Sequence, residues 1–297
     1  MKTCSREHGK SLSLRASLGA LLGLALLAAS SAGAQTCNGS ACTIVGTPGD
    51  DMLFGTSGAD VICGLQGNDK VFASGGNDTI CGGLGNDEMH GEFGNDLILG
   101  EPGFDTMDGG NGTDTVKFQS AVVADLSNFY ANDGEGNEPL SGIENLTGSS
   151  SNDTLTGDSG NNTLDGQNGA DTLIGGDGAD TLSGRLGNDS LTGGLGADSL
   201  DGGDGSDTAA YTTAINVSLT TGSASDGDTL TSIENLLGSP FADVLEGNTG
   251  ANVLQGSAGN DFLDGLGGTD TCDGGPNPRS GGDVCSNCET AVSCEFI

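Results

Sequence analysis

Seventeen aspartates of this 297-residue chain stand at one fixed place in a repeated nine-residue unit, Gly-x-x-Gly-x-Asp-x-apolar-x, which we call the nonad. The nonad occurs nineteen times, and its cleanest copy runs from Gly82 to His90. Carboxylates beside exposed glycine carbonyls supply the oxygen ligands that Ca²⁺ takes from side chains and backbone alike. The sixth position therefore predicts several bound calcium ions, held by Asp51, Asp60, Asp69, Asp78, Asp87, Asp96, Asp105, Asp114, Asp153, Asp171, Asp180, Asp189, Asp198, Asp207, Asp243, Asp261 and Asp270.

Magnesium, zinc or a purely structural role would fit the aspartate column less well than calcium. Magnesium demands a stricter octahedron, and zinc prefers histidine or thiolate, whereas His90 is the one histidine beyond the N-terminal segment. Acids that only cap turns and keep the surface soluble would be scattered among polar positions. Instead, only Asn162 and Asn252 interrupt the column. Because an amide oxygen carries no full charge, we expect weaker calcium sites at these two positions.

The nonads form three blocks without a slip in register: eight in 46–117, seven in 148–210 and four in 238–273. Glycine fills the first position in eighteen copies and the fourth in seventeen. Glycine reaches positive φ without a Cβ clash, so each unit can reverse direction tightly. The last three residues, x-apolar-x, form a short strand with one inward side chain. This pattern predicts an all-β fold, a parallel β-roll or β-helix solenoid in which each coil takes two nonads.

The eighth position predicts the core of this solenoid. One apolar residue in nine cannot build a globular core, but it can fill the narrow interior of a flattened roll. In the second block the column is almost unbroken leucine from Leu155 to Leu200. In the first block the inward residues are Leu53, Ile62, Val71, Ile80, Met89, Ile98, Met107 and Val116. Aspartates eighteen residues apart would then stack ~4.8 Å from each other, which is repulsive without a bridging cation.

With these features, the nonad resembles the RTX (repeats-in-toxin) calcium-binding repeat, whose signature is Gly-Gly-x-Gly-x-Asp-x-apolar-x. The resemblance implies that nonads n and n+2, on one edge of the roll, share each calcium ion, with thirteen such pairs inside the blocks. Candidate pairs are Asp51 with Asp69, Asp60 with Asp78, Asp171 with Asp189 and Asp180 with Asp198. An N-terminal signal and a cysteine-rich tail are departures from the family, and they argue against a toxin.

The first 34 residues are predicted to be a secretory signal peptide. Lys2, Arg6, Lys10 and Arg15 precede an apolar run that is too short for a membrane span, and Ala32-Gly33-Ala34 offers a cleavage site. Cleavage leaves four basic residues against 41 acids, a net charge of −37. Such a surface repels nucleic acid and anionic membranes. We therefore expect an extracellular protein that lacks a membrane span and binds calcium ions.

The remaining segments are predicted to be caps and spacers. An N-terminal cap covers 35–45, and a cysteine-rich C-terminal cap covers 274–297. The spacers, 118–147 and 211–237, resemble each other, since Ser141-Gly142-Ile143-Glu144-Asn145-Leu146 parallels Thr231-Ser232-Ile233-Glu234-Asn235-Leu236. The second spacer equals three nonads in length, so it could continue the same winding. Disordered linkers are the alternative, but the β-branched and apolar alternation argues against them.

Nine cysteines become eight on cleavage because Cys4 lies in the signal peptide, and an even number in an exported chain favours disulfides. Cys63 and Cys81 both occupy the ninth position, eighteen residues apart, so we expect them to meet on adjacent coils within disulfide range. Cys37 and Cys42 could close a small N-terminal loop. Three pairings remain open for Cys272, Cys285, Cys288 and Cys294.

No catalytic motif stands outside the repeat, and we predict that the protein is not an enzyme. Gly157-Asp158-Ser159-Gly160 resembles a protease nucleophile motif, but its glycines are the first and fourth positions of a nonad. We therefore predict a secreted calcium-binding protein with calcium-coupled folding. The alternative is a calcium-stiffened structural or adhesive element with an unknown cell-surface or matrix partner. A recognition module for ice, glycan or crystal surfaces ranks lower, because the outward positions form no regular threonine ladder.

Overall fold

A computed structural model describes residues 35–276 and 282–296, so the predicted signal peptide lies outside the described residues. The described chain is all-β, as predicted, and forms a parallel β-solenoid of about 14 turns. Two sheets, of fifteen and sixteen strands, form its two faces, and a two-stranded hairpin precedes them. The described residues contain no helix that is long and apolar enough to cross a membrane.

Strands β1–β11 belong to the N-terminal cap and first block: β1 (Thr36–Cys37), β2 (Ser40–Ala41), β3 (Ile44–Val45), β4 (Met52–Phe54), β5 (Val61–Gln66), β6 (Lys70–Phe72), β7 (Thr79–Leu84), β8 (Glu88–Phe93), β9 (Leu97–Leu99), β10 (Thr106–Asn111) and β11 (Thr115–Lys117). The first spacer forms β12 (Val123–Asp125), β13 (Tyr130–Asn132), β14 (Glu138–Ser141) and β15 (Asn145–Thr147). The second block forms β16 (Thr154–Thr156), β17 (Thr163–Asp165), β18 (Thr172–Asp177), β19 (Thr181–Gly187), β20 (Ser190–Leu195), β21 (Ser199–Gly205) and β22 (Thr208–Ala210).

The second spacer forms β23 (Asn216–Ser218), β24 (Ser223–Ala224), β25 (Thr229–Thr231) and β26 (Asn235–Leu237). The third block and the C-terminal cap form β27 (Val244–Glu246), β28 (Val253–Gln255), β29 (Phe262–Asp264), β30 (Thr271–Asp273), β31 (Asp283–Ser286), β32 (Thr290–Val292) and β33 (Cys294–Phe296).

The strand register follows the eighteen-residue period. In the parallel pair β5–β7, for example, Ile62 lies beside Ile80, and in β17–β19 Leu164 lies beside Leu182. The eighth-position residues from Ile62 to Val116 and from Leu155 to Leu200 are at most 1% exposed, which confirms the predicted core column. Leu53 is only partly buried, in the first coil. Because the buried column runs from coil to coil, the interior of the roll is continuous. Burying each such side chain contributes roughly 1.5–3 kcal/mol.

Each spacer departs from the winding in its middle and rejoins it at its end. Strands β12, β13 and β14 pair antiparallel within one sheet, and β23, β24 and β25 do the same in the other sheet. The last nine residues of each spacer resume the coil, with Leu146 beside Val116 and Leu236 beside Ala209. The second spacer therefore does not wind as three nonads, and neither spacer is a disordered linker.

Disulfides close both ends of the solenoid, but the loop expected between Cys37 and Cys42 does not form, and no bond joins Cys63 and Cys81 although they meet as predicted. These residues are register partners in β5 and β7, yet Cys81 bonds to Cys37 and Cys63 to Cys42, with Cα separations of 5.8 and 6.0 Å. Side chains at matching positions of parallel strands point the same way, whereas a disulfide needs Cβ atoms only ~3.8 Å apart. The hairpin β1–β2 brings Cys37 and Cys42 into the required position. At the other end the bonds are Cys272–Cys288 and Cys285–Cys294.

Candidate metal centre

The sixth-position carboxylates form a hydrogen-bonded ladder along each edge of the roll. One carboxylate oxygen, Oδ1, accepts the backbone N–H of the acid eighteen residues earlier in the chain. The N–H of Asp60 donates to Asp78 at 2.7 Å, and the N–H of Asp171 donates to Asp189 at 2.8 Å. The structure therefore brings together the aspartates that the eighteen-residue period pairs. It also gives each pair a contact that the sequence did not predict.

The second oxygen, Oδ2, has no hydrogen-bond partner in thirteen of the nineteen nonads, all of which lie in the described chain. These carboxylates are at most 2% exposed, so water does not solvate them. Burying a carboxylate oxygen without a partner costs several kcal/mol unless the group is neutralised or meets a cation. The unpartnered oxygens belong to Asp69, Asp78, Asp87, Asp96, Asp105, Asp114, Asp171, Asp180, Asp189, Asp198, Asp207, Asp261 and Asp270.

Backbone carbonyls stand beside these oxygens. A Cβ placed on Gly175 would collide with both Asp180 Oδ2 and the carbonyl oxygen of Gly193 in the next coil, and Gly91 has the same two kinds of neighbour. Glycine at the first position thus leaves room for two oxygens to converge. Among the described residues no three His, Cys, Asp or Glu side chains are grouped so that they could hold a metal ion by themselves. Backbone carbonyls must therefore supply much of any coordination shell, as calcium permits.

Burial and crowding raise the pKa of many ladder carboxyls. Desolvation, reinforced by neighbouring carboxylates, raises the pKa of Asp87 to about 6 and the pKa of Asp105 and Asp171 to about 7. Asp60 differs, because the backbone N–H of Thr56 lowers its pKa. Protonation or a bound cation would relieve the charge of the buried group, and a divalent cation would do so at neutral pH.

Six further acids extend the ladder beyond the nonads. Glu144, for example, accepts the N–H of Asp114 at 2.8 Å, and Asp228 accepts that of Asp198 at 2.8 Å. In β14, Glu138 takes the register place beside Asp105; it is 2% exposed, one of its oxygens has no partner, and burial raises its pKa to about 8. Sequence reasoning missed Glu138, Glu144, Asp228, Glu234, Asp283 and Glu289. The parallel Ile-Glu-Asn segments of the spacers were a signal for two of them, Glu144 and Glu234.

The turns of the nonads fall into two classes. In six of them the backbone N–H of the second residue donates to the sixth-position side chain, as from Thr56 to Asp60 at 2.7 Å, and we call these lead turns. They are the first two nonads of each block, and their second residues are Thr47, Thr56, Ser149, Asp158, Ser239 and Asn248. The other thirteen we call open turns. In open turns, φ is +63° to +112° at the second residue and +113° to +159° at the fourth.

Asn162 and Asn252 both lie in lead turns. The Nδ2 group of Asn162 donates to the backbone carbonyl of Glu144 at 2.8 Å, and that of Asn252 donates to Glu234 at 2.7 Å. Their Oδ1 atoms accept the N–H groups of Asp158 and Asn248, both at 2.8 Å. An aspartate would offer an acceptor where these turns need a donor, which accounts for the amide at both positions.

The fold and the ladder together define a parallel β-solenoid built from acidic, glycine-rich repeats. The sequence matches the family of RTX calcium-binding nonapeptide repeats over residues 43–71, 54–89, 82–116, 140–173, 174–209 and 237–275. These matches cover more than half of the chain, which therefore belongs to the RTX repeat family. None of the curated proteins compared with the chain matches it. Membership in the family implies calcium binding by the stacked, aspartate-rich turns.

Proposed function

We propose that this protein is a secreted calcium-binding solenoid whose folding is coupled to the ions. The observation that carries the proposal is the set of thirteen buried Oδ2 atoms without a partner. The roll places them beside one another on two edges, so their repulsion opposes the compact state in the absence of cations. Bound calcium supplies the missing charge and stabilises the folded chain by mass action, by ~2.7 kcal/mol per site at a hundred times Kd.

The donor set of the turns fits calcium better than its competitors. Each open turn offers a carboxylate oxygen and carbonyl oxygens of glycine, and neither thiolate nor histidine nitrogen takes part. All eight cysteines of the described chain are in disulfides. His90 contacts the carboxylates of Glu88 and Asp108 at 3.2 Å on the outer face, away from the ladder. The residues that would hold the ions are the ladder aspartates, and when bound the ions would cross-link successive coils.

Export is the second part of the proposal. Four disulfides at the two ends of the roll support an oxidising compartment, where such bonds persist. Extracellular calcium is present at millimolar levels, which fills sites of the affinity typical of extracellular modules. The chain would then be loosely structured during synthesis and rigid after export.

Far-UV circular dichroism at ~2 mM calcium, at the same concentration of magnesium and in excess chelator tests the coupling, because millimolar calcium fills sites of the extracellular class. At pH 8 we expect the β-sheet signal only with calcium, because magnesium dehydrates reluctantly and demands stricter geometry. A β-sheet signal that stays the same in chelator would contradict calcium-coupled folding. Secretion is tested separately, by determining the N-terminal residue of the exported protein, which should be Gln35.

A further inference from the structure

We propose that calcium occupies only the open turns, and that the six lead turns are closed to it by their own hydrogen bonds. This inference rests on the proposed calcium function and specifies which of the nineteen nonads carry it. The position of a nonad within its block, rather than its agreement with the consensus, then decides whether it holds an ion.

The partner of the sixth-position oxygen differs between the two classes of turn. In every open turn the buried Oδ2 has no partner. In every lead turn the equivalent oxygen accepts an N–H from the second residue, at 2.5 to 2.8 Å. An N–H group brings partial positive charge to the place where a cation would be needed, and it excludes the cation sterically. The lead turns therefore satisfy their carboxylate or amide oxygens without metal.

In lead turns the side chain of the second residue also forms a hydrogen bond within the turn. In all six lead turns the second residue is Ser, Thr, Asp or Asn, and its side-chain oxygen accepts the N–H of the fourth residue. The N–H of Gly58 donates to Thr56 at 3.2 Å, and that of Gly160 donates to Asp158 at 2.7 Å. These are the local turns that such side chains favour. A hydroxyl alone does not close a turn, since Ser74 and Ser257 stand at the same position of open turns with φ of +76° and +70°.

Backbone strain also distinguishes the open turns from the lead turns. Eight of the thirteen open turns hold a residue other than glycine at positive φ in the second position, including Leu65, Glu92 and Arg185. Such a conformation costs roughly 1–2 kcal/mol per residue. In lead turns the second residue avoids this cost and also forms a hydrogen bond. Open turns therefore need a compensating interaction, and an ion bound at the adjacent Oδ2 would supply it.

Exceptions to the consensus at the fourth and sixth positions are distributed unequally between the two classes of turn. Glycine is missing from the fourth position at Ser151 and Phe241, and aspartate is missing from the sixth at Asn162 and Asn252. All four of these fall in lead turns, whereas the one missing first-position glycine, at Ala73, falls in an open turn. Around Gly49, in a lead turn, a Cβ would meet nothing within 4 Å, whereas on Gly187, in an open turn, it would overlap the Gly169 carbonyl oxygen. At the fourth and sixth positions, lead turns thus tolerate substitutions that do not occur in open turns.

If only open turns hold calcium, the row of ions begins one coil later in each block than the pairing of nonads n and n+2 implies. Pairs that begin with a lead turn, such as Asp51 with Asp69, would hold no ion between them. Each open carboxylate instead shares its ion with the next member of the ladder. At the top of each block that member is one of the six acids outside the nonads, so that Asp207, for example, would share an ion with Glu234. The number of ions stays near thirteen.

A matched pair of substitutions tests this assignment. Asp60 in a lead turn and Asp78 in an open turn are neighbours on one edge, and each is changed to Asn. The calcium bound per chain is then measured by equilibrium dialysis of the full protein at saturating calcium, with circular dichroism to confirm the fold. Asp51→Asn and Asp69→Asn provide a second pair, should one variant of the first pair fail to fold.

We expect the unaltered protein to bind about thirteen ions, Asp78→Asn to bind one fewer, and Asp60→Asn to bind the same number. Equal losses in the two variants of a pair would overturn the inference while leaving the calcium function intact. A stoichiometry near nineteen would overturn it as well. If the unaltered protein binds no calcium at all, the proposed function itself is wrong.

Discussion

Lead turns and open turns are built from the same nine-residue formula, yet they form different structures. Open turns have the second and fourth residues at positive φ and a buried, unpartnered carboxylate oxygen. Lead turns satisfy that oxygen with a backbone N–H, as Ser149 does for Asp153 at 2.6 Å. The difference depends on the neighbours of each turn, since no nonad precedes a lead turn on its edge. The conformation of a nonad thus depends partly on whether another nonad precedes it on the same edge of the roll.

The largest expected effect of the open turns is on how the stability of the calcium-free protein changes with pH. The pKa of Asp105 and Asp171 is about 7 in the folded chain, against 3.8 for an ordinary aspartate, so the folded state binds more protons between these values. Stability is therefore greatest near pH 4 and falls as pH rises through 6 to 7. In chelator we expect a thermal transition at pH 5 whose Tm falls on the order of 10 °C by pH 6.5, and no transition at pH 8, where the calcium-free chain does not fold, because several open turns titrate together.

Calorimetry at pH 5, 6.5 and 8 measures this trend. At saturating calcium the Tm should instead rise with pH, since protons then compete with the ion for the same oxygens. Asp60, whose pKa is lowered, makes stability rise with pH, but the many open-turn carboxyls with raised pKa values outweigh this single group. A Tm that rises with pH in chelator would mean that the open carboxylates are not strained by their burial.

The next largest effect is expected from glycine at the fourth position. Gly187 has φ of +148° in an open turn, and an added Cβ would overlap the Gly169 carbonyl, so Gly187→Ala should reduce the free energy of unfolding by about 3 kcal/mol or more. Gly58→Ala, the matched change in a lead turn, should stay within about 0.5 kcal/mol. Urea unfolding at saturating calcium compares the two, and equal losses would contradict the division into two classes.

Restoring the consensus at Asn162 should also destabilise the roll. Asn162→Asp replaces the Nδ2 donor with an oxygen facing the Glu144 carbonyl, so we expect a loss of about 1–3 kcal/mol. Asn161→Asp is the control, because Asn161 is exposed and only accepts the N–H of Ala179, which a carboxylate can also accept. Thermal unfolding at saturating calcium is the measurement. A gain of stability in Asn162→Asp would show that this turn accepts a cation after all.

The smallest effect concerns the hydroxyl that closes a lead turn. Thr56→Val removes the bonds from Oγ1 to Asp60 at 2.8 Å and from the N–H of Gly58 at 3.2 Å, so it should cost about 1 kcal/mol. Ser74→Ala, at the same position of an open turn, should change stability by less than about 0.5 kcal/mol. Chemical denaturation with calcium present resolves the difference. Similar costs for the two variants would argue that the hydroxyl does not keep the turn closed.

Much of the fold was predictable because the period is rigid. Glycine at the first and fourth positions and one apolar residue at the eighth lead directly to short strands, an eighteen-residue register and the buried column that includes Leu164 and Leu182. The position of Cys63 beside Cys81 followed from the same period. Their bonding did not, because it depends on where the hairpin β1–β2 places Cys37 and Cys42.

The structure of the spacers and the acids at the ends of the ladder were not predicted from the sequence. A length of three nonads suggested that 211–237 would continue the winding, but the strands there pair antiparallel with their neighbours in sequence. Glu138 stands in a segment without the repeat, and only its pairing with β10 brings it beside Asp105. Residues that are distant in sequence acquire these roles through contacts, and a local pattern does not encode them.

The sequence by itself determined the period, the inward column and the two rows of carboxylates, since these follow from which residue types recur at which spacing. The tertiary structure decided which cysteines bond, which acids outside the nonads end the ladder, and which turns leave an oxygen unpartnered. The physical reason is that a hydrogen bond forms between groups that the fold brings together in space, and the place of a residue in the repeat does not fix its neighbours. Asp60 and Asp78 have the same place in the repeat, but only Asp60 finds an N–H for its second oxygen.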